Sequence, residues 1–234
     1  MRLYIIRHAD PNYEGNTITA QGHREARALA ERLAREGVTR LYSSPLGRAR
    51  DTARYTQEAT GLTPTIEEWT AELTDFWAER EPWGRLVAWD IPGEVIRGGN
   101  GFPTHDTWHQ APPFLGEGLA EHFARFVAAA DAFVARHGYA REAGRYRIVA
   151  PHRDRIAVFC HNGSAQTWLA HLLAIPLTLF WSSFWLAPSS VTTVLFDERS
   201  TEWAVPRCLN VGDTSHLYAA GLVPQPNGIL ANYE

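Results

Sequence analysis

The sequence predicts a three-layer α/β/α sandwich with a mostly parallel sheet and an inserted cap region. Two observations predict it: short apolar runs alternate with amphipathic helical segments, and the strongest polar residues sit where those runs end. A third fixes the organisation. The 234 residues exceed one average domain, yet no Gly/Ser linker divides them, so the expectation is a single domain over 1–234 with an insertion.

Leu3 to Ile6 is the first apolar run and reads as a strand buried on both faces, with Arg7 and His8 at its carboxyl end. After a polar loop from Asp10 to Ile18, Ala26, Leu29, Ala30, Leu33 and Ala34 line one helical face, with Thr19 as cap and Gly37 as stop. Val38 to Ser43 is a second strand. Ser44-Pro45 then suggests a capping hydroxyl before a proline in the first helical turn, and the helix runs toward Gly61. From about Trp69 to Gly116 periodicity fades and Trp, Gly and Pro accumulate; the cap insertion is placed at about 76–116. Leu119, Phe123, Phe126, Val127, Ala130, Phe133 and Val134 mark a long helix that ends in Arg136-His137-Gly138, cations near the negative end of its dipole. Ile156 to Cys160 is another strand run, ending in His161-Asn162-Gly163-Ser164 and a helix carrying Trp168, Leu169, Leu172 and Leu173. Val191–Phe196 and Glu202–Leu209 read as a hairpin around Asp197 to Thr201.

Composition narrows the partners. Twenty-two Lys and Arg against 26 Asp and Glu give a net charge of −4, with no basic footprint for nucleic acid or an anionic membrane. No signal-peptide core or membrane-length apolar stretch is present, so a cytoplasmic protein is expected. The two cysteines, Cys160 and Cys208, read as reduced. Nine Trp and ten His are the unusual counts; most of the tryptophans fall in or beside the insertion, where a compact aromatic core is the expected role. His105 and His109 are i, i+4, but in Pro- and Gly-rich surroundings that do not read as a helical metal site.

In open α/β sheets ligands gather beyond the carboxyl ends of the strands, which is where Arg7-His8, Arg48 and His161 would meet. Two guanidinium forks and two imidazoles in a chain of net negative charge suit a small phosphate dianion. An imidazole held neutral can attack phosphorus, and a carboxyl group from Glu67, Glu72 or Asp75 can protonate the departing alkoxide; Glu72, flanked by Trp69, Leu73 and Phe76, is the preferred donor.

Arg7-His8-Ala9, the Thr19-x-x-Gly22 helix start, Ser43-Ser44-Pro45-Leu46-x-Arg48-Ala49-x-x-Thr52-Ala53, Thr70-Ala71-Glu72, Cys160-His161-Asn162-Gly163 and Asp213-Thr214-Ser215-His216-Leu217 occur in order. Together they resemble the histidine phosphatase superfamily, also called phosphoglycerate mutase-like. The resemblance implies His8 as phospho-accepting nucleophile, Arg7, Arg48 and His161 as phosphate-binding residues, and Glu72 as proton donor and then base. It implies no metal and no cofactor, a small phosphorylated substrate, and a cap over the site. Ala9 and Asp10 stand where many members have Gly and Glu, Asn162 replaces a glycine common after the second histidine, and Asn12 or Asn16 would serve as a phosphate-contacting asparagine. The expected activity is metal-independent hydrolysis of a phosphomonoester through phospho-His8. A phosphoglycerate-type mutase, a non-catalytic phosphate-binding module and a histidine-ligated metalloenzyme are the competing readings. Nothing in the sequence specifies the alcohol or the oligomeric state.

Overall fold

The computed structural model describes residues 1–99, 101–112, 114–229 and 232. Its strands are β1 (Arg2–Arg7), β2 (Pro11–Asn12), β3 (Thr17–Ile18), β4 (Arg40–Ser43), β5 (Thr65–Ile66), β6 (Trp77–Arg80), β7 (Gly84–Val87), β8 (Tyr139–Glu142), β9 (Arg145–Ile148), β10 (Arg155–Cys160), β11 (Val191–Glu198) and β12 (Trp203–Asp213). Its α-helices are α1 (Ala20–Glu36), α2 (Gly47–Thr60), α3 (Gly93–Arg97), α4 (Leu119–Arg136), α5 (Asn162–Leu173), α6 (Leu177–Trp181) and α7 (Ser215–Ala219).

Eight strands form one sheet in the order β5-β4-β10-β1-β11-β12-β9-β8. β1, β10, β4 and β5 pair in parallel; β11, β12, β9 and β8 continue from β1 in antiparallel steps. Six of the eight strands therefore share a direction, with only β11 and β9 reversed, and the sheet is mixed. The parallel half carries the strand ends that matter. β1 shows why the sheet is covered on both sides. Leu3 and Ile5 enter one buried cluster with α4 and α5, while Tyr4 and Ile6 enter another with α1 and α2.

Thr19 caps α1 by accepting the Gly22 N–H at 3.0 Å, and Gly37 ends it in the left-handed conformation, φ 68°. The Ser44-Pro45 cap does not form. α2 starts at Gly47 without a side-chain cap, because the Ser44 hydroxyl is turned to His161. His137 follows α4 as expected, but burial lowers its pKa to about 4, so Arg136 is the cation at that terminus. The β8–β9 hairpin, absent from the sequence reading, is an edge pair whose Arg- and Glu-rich positions hide the alternation of Tyr139, Tyr146 and Ile148.

Between Trp69 and Gly116 no described residue joins the main sheet. The segment forms the β6–β7 hairpin, the short α3 and single 3-10 turns at Ala88–Asp90 and Trp108–Gln110. Its aromatic core is continuous with the main one: Trp108 is buried edge-on to Phe114 at 6.1 Å, Phe123 at 5.6 Å and Trp181 at 5.8 Å. His105 and His109 pack on Phe123 and Trp108. Cys160 and Cys208 are unpaired. No helix among the described residues is long and apolar enough to cross a membrane.

Candidate active site

β1 and β10 pair in register, Arg7 opposite Cys160, so the residues that follow, His8 and His161, leave the sheet side by side. Their rings lie 5.1 Å apart, both buried. His8 Nδ1 is 2.8 Å from the Ala9 carbonyl oxygen. A carbonyl only accepts, so Nδ1 carries the proton and Nε2 keeps a lone pair. Burial, reinforced by Arg7, holds the His8 pKa well below the ordinary imidazole value and keeps the ring neutral. His161 is lowered in the same way, first by burial and then by His8 and Arg48.

Three further contacts fix the His8 loop. Ser189 N–H donates to the His8 carbonyl at 3.0 Å, Ala9 N–H to Thr52 Oγ1 at 3.0 Å, and Asp10 N–H to Glu25 Oε2 at 2.9 Å. Ser44 Oγ accepts the Leu46 N–H at 3.2 Å and lies 2.7 Å from His161 Nε2. Arg7 is buried and donates to the Leu186 carbonyl at 2.6 Å. Arg48, in the first turn of α2, donates to Asn16 Oδ1 at 3.1 Å. Its guanidinium stands 5.5 Å over the Tyr13 ring, which meets the His8 ring edge to face with centroids 6.4 Å apart.

Three buried polar atoms in this cluster, two of them guanidinium donors, lack an internal partner among the described residues. Arg7 Nε, Arg48 Nε and His161 Nδ1 are all buried and unbonded. Each such group costs about 1–3 kcal/mol. Gathered around a neutral imidazole with a free lone pair, the two guanidinium nitrogens define a deficit of acceptor oxygens.

Glu72 reaches the same site from the other direction. Trp69, wedged between Phe126, Phe133 and Trp168, anchors the segment, and three residues later Glu72 meets the start of α5. Its carboxylate accepts N–H bonds from Ser164 at 3.0 Å, Gly163 at 3.2 Å and Leu73 at 3.2 Å. Burial nevertheless raises its pKa, and those bonds and Arg7 only oppose the rise. The other two candidate carboxylates are engaged elsewhere. Glu67 binds Trp69 Nε1 at 2.8 Å and pairs with Arg136; Asp75 lies 3.4 Å from His122. Among the described residues no group of three or more His, Cys, Asp or Glu is placed to hold a metal.

The model of the histidine phosphatase superfamily (branch 1) matches residues 3–208. The chain belongs to that superfamily. Curated relatives include the probable phosphoglycerate mutase GpmB of Serratia proteamaculans, 27% identical over 38% of this chain and 57% of that protein. The corresponding protein of an Enterobacter species is 31% identical over 29% and 38%. The chain thus spans little more than half the length of the curated relatives it matches, or less. Similar solved structures include phosphoserine phosphatase from Entamoeba histolytica in complex with 3-phosphoglyceric acid (TM-score 0.61, 19% identity, 92% of this chain and 98% of that one). Another is a mycobacterial glucosyl-3-phosphoglycerate phosphatase (TM-score 0.58, 23% identity, 90% and 97%). They share the fold.

The structure also places the remaining residues that the sequence singled out in this member of the superfamily. Of the two asparagines, Asn16 joins Arg48 while Asn12 bonds Gly15 N–H within its own loop. The late Asp213–Leu217 motif acts at a distance: Arg32 pairs with Asp213 at 2.7 Å and reaches His216 Nδ1 at 3.5 Å, and His216 Nε2 lies 3.3 Å from Ser189 Oγ. Asn162 Oδ1 accepts from Gln166 Nε2 at 2.9 Å and from the Leu186 N–H at 3.4 Å. Gly163 has a steric reason of its own. A Cβ there would sit 2.8 Å from Glu72 Oε1 and 2.8 Å from the Trp89 ring. Trp89 had no signal of its own, because nothing in one dimension separates it from the core tryptophans.

Proposed function

We propose that this protein is a metal-independent phosphomonoester hydrolase working through a phosphohistidine on His8, with Glu72 as proton donor and residues 76–116 as the cap over the site. The observation that carries the reading is the pair of buried, unbonded guanidinium donors, with an unbonded nitrogen of His161 beside them, around a neutral His8 whose Nε2 lone pair is free. A phosphoryl group supplies acceptor oxygens for both guanidinium donors and, when its proton is on Nδ1, for His161.

In the first half-reaction His8 Nε2 attacks phosphorus and the bond from phosphorus to the ester oxygen breaks. Its electron pair stays on that oxygen, and the proton of Glu72 completes the alcohol. Arg7, Arg48 and His161 hold the equatorial oxygens through the transfer. In the second half-reaction the Glu72 carboxylate takes a proton from water as the water oxygen bonds phosphorus, and the pair of the N–P bond returns to Nε2. The low basicity of His8 and the raised pKa of Glu72 match these roles: burial disfavours the protonated form of the nucleophile and favours the protonated form of the acid.

His8→Ala tests the reading. Phosphomonoester turnover is expected to fall by at least about 10³-fold, and the acid-labile phosphoenzyme to disappear. A fully active His8→Ala variant overturns it. The names of the curated relatives favour a second reading, a phosphoglycerate-type mutase. Incubation with 3-phosphoglycerate separates the two, since a mutase returns 2-phosphoglycerate and a hydrolase returns phosphate. A non-catalytic phosphate-binding module forms no phosphoenzyme at all.

A further inference from the structure

The phosphate-holding groups are accounted for, but the alcohol of the ester also has a place, and one ring lines it. Trp89 Cδ2 and Cε3 lie 2.8 Å from the point where a Gly163 Cβ would stand, as does Glu72 Oε1. Ring and carboxylate are therefore neighbours over the first turn of α5. An alcohol whose oxygen receives a proton from Glu72 would have that ring within reach of its first carbons. Trp89 is only half-buried, and its indole N–H has no partner in the described protein, so part of the ring remains free to contact a ligand.

Charge points the same way. Beyond the histidines themselves, the charged groups acting on the two imidazoles are Arg7 and Arg48, and a single phosphate occupies both. Arg85 and Arg97, in the irregular segment, are turned to Trp77 and to Ser183. The ionisable residue beside Trp89 in its turn is Asp90, which is acidic and without a cation partner. Arg125 and His122, which line the cavity beside Glu72, are turned to each other and to Asp75, so among the described side chains a carboxylate or second phosphate on the alcohol would meet no cation free of an existing contact.

We propose that Trp89 is a specificity-determining residue that stacks on the leaving alcohol, and that the preferred substrate is a phosphomonoester whose alcohol is aromatic or apolar and carries no second anion. The proposal rests on the site reading above, with the phosphate held by Arg7, Arg48 and His161. The residue adds no step to the reaction; it selects what is presented to Glu72.

Phosphonates, which carry a C–P bond and cannot be hydrolysed, separate this recognition from turnover. Calorimetry with benzylphosphonate, ethylphosphonate and 3-phosphonopropionate on the full chain is expected to give benzylphosphonate at least about tenfold tighter than ethylphosphonate, or about 1.4 kcal/mol, with phosphonopropionate no tighter than ethylphosphonate. Trp89→Ala is expected to bring benzyl and ethyl within about twofold, and Trp89→Phe, which keeps a ring, to retain most of the preference. Equal affinities in the unsubstituted protein, an unchanged preference in Trp89→Ala, or tighter binding of phosphonopropionate would each overturn the inference while leaving the phosphate site intact. Benzyl selectivity without hydrolysis of any ester would overturn the phosphatase reading and keep the inference. Failure of all three phosphonates to bind would remove both.

Discussion

The two ends of the proposed pocket are built from different kinds of chain. At the phosphate end His8 and His161 follow adjacent parallel strands whose register is fixed along their whole length, and Arg48 rides on the first turn of a packed helix. At the alcohol end Glu72 and Trp89 come from a loop and a single 3-10 turn, held by side-chain packing and by bonds to the start of α5. The difference matches the demands on each end. A phosphoryl group has one shape in every substrate and can be met by groups locked to a sheet, whereas the alcohol varies and is met by segments with no ladder to satisfy.

The largest effect expected from breaking this division is at Glu72. Glu72→Gln is expected to lower kcat for an alkyl phosphate by about 10²–10⁴, the usual contribution of a positioned acid. Orthovanadate inhibition, which reads the phosphate end, is expected to persist. With 4-nitrophenyl phosphate, whose leaving group needs no proton, the first step survives and the second still lacks its base, so a burst of nitrophenolate before slow turnover is expected. In the unsubstituted enzyme activity is expected to decline as pH rises through the elevated Glu72 pKa; Glu72→Gln is expected to abolish that limb. Retention of the limb would assign the proton to another group.

The phosphate end carries its own ionisable support. Glu25 is fully buried under the Asp10 N–H, and burial raises its pKa to about 7. A carboxyl whose folded pKa lies above its unfolded one stabilises the fold fully below about 4.5, and that contribution is lost as pH rises through about 7. Glu25→Gln stays neutral throughout. Relative to the unsubstituted protein it is expected to gain roughly 2–3 kcal/mol between pH 5 and pH 8 in urea unfolding. An equal difference at both pH values would mean that Glu25 is ionised in the folded state.

How much of each end was legible follows from the same contrast. The strand runs Leu3–Ile6 and Ile156–Cys160 are continuous because both faces are buried, and a charged or imidazole residue directly after such a run stands out in one dimension. Asp10, Ser44 and Asn16 take part through loop geometry that has no period. Ser44 resembles a helix cap until the fold turns its hydroxyl to His161. Trp89 and Gly163 are meaningful only as a pair separated by 74 positions, and the aromatic abundance around Trp89 hides it among rings that are simply core. The β8–β9 edge strands were obscured in another way, since charges that protect a sheet edge also erase its alternation.

Gly163→Ala sharpens the alcohol end specifically. The new methyl would stand 2.8 Å from both Glu72 Oε1 and the Trp89 ring, and the backbone that bears it is inside a helix, so the side chains must yield. Overpacking of this kind costs about 1–3 kcal/mol. The expected outcome is a loss of that size in thermal or urea unfolding, together with a fall in kcat for alkyl esters larger than the change in vanadate affinity. Loss of vanadate binding to the same degree would show that the two ends are not mechanically separate.

The smallest effect is expected behind His8, at Ser189. Arg32 can only donate, so His216 Nδ1 accepts from it and Nε2 carries the proton offered to Ser189 Oγ. Burial lowers the His216 pKa to about 4, which keeps the ring neutral in this relay. Ser189→Ala removes the acceptor and leaves the Nε2–H unsatisfied, while the Ser189 backbone bond to the His8 carbonyl remains. A loss of about 1 kcal/mol in stability is expected, with kcat changed by less than about threefold. A tenfold fall in kcat at unchanged stability would instead make the Asp213–Arg32–His216 chain a positioning device for His8. The rigidity of the phosphate end would then depend on α1 and the late motif as well as on the sheet.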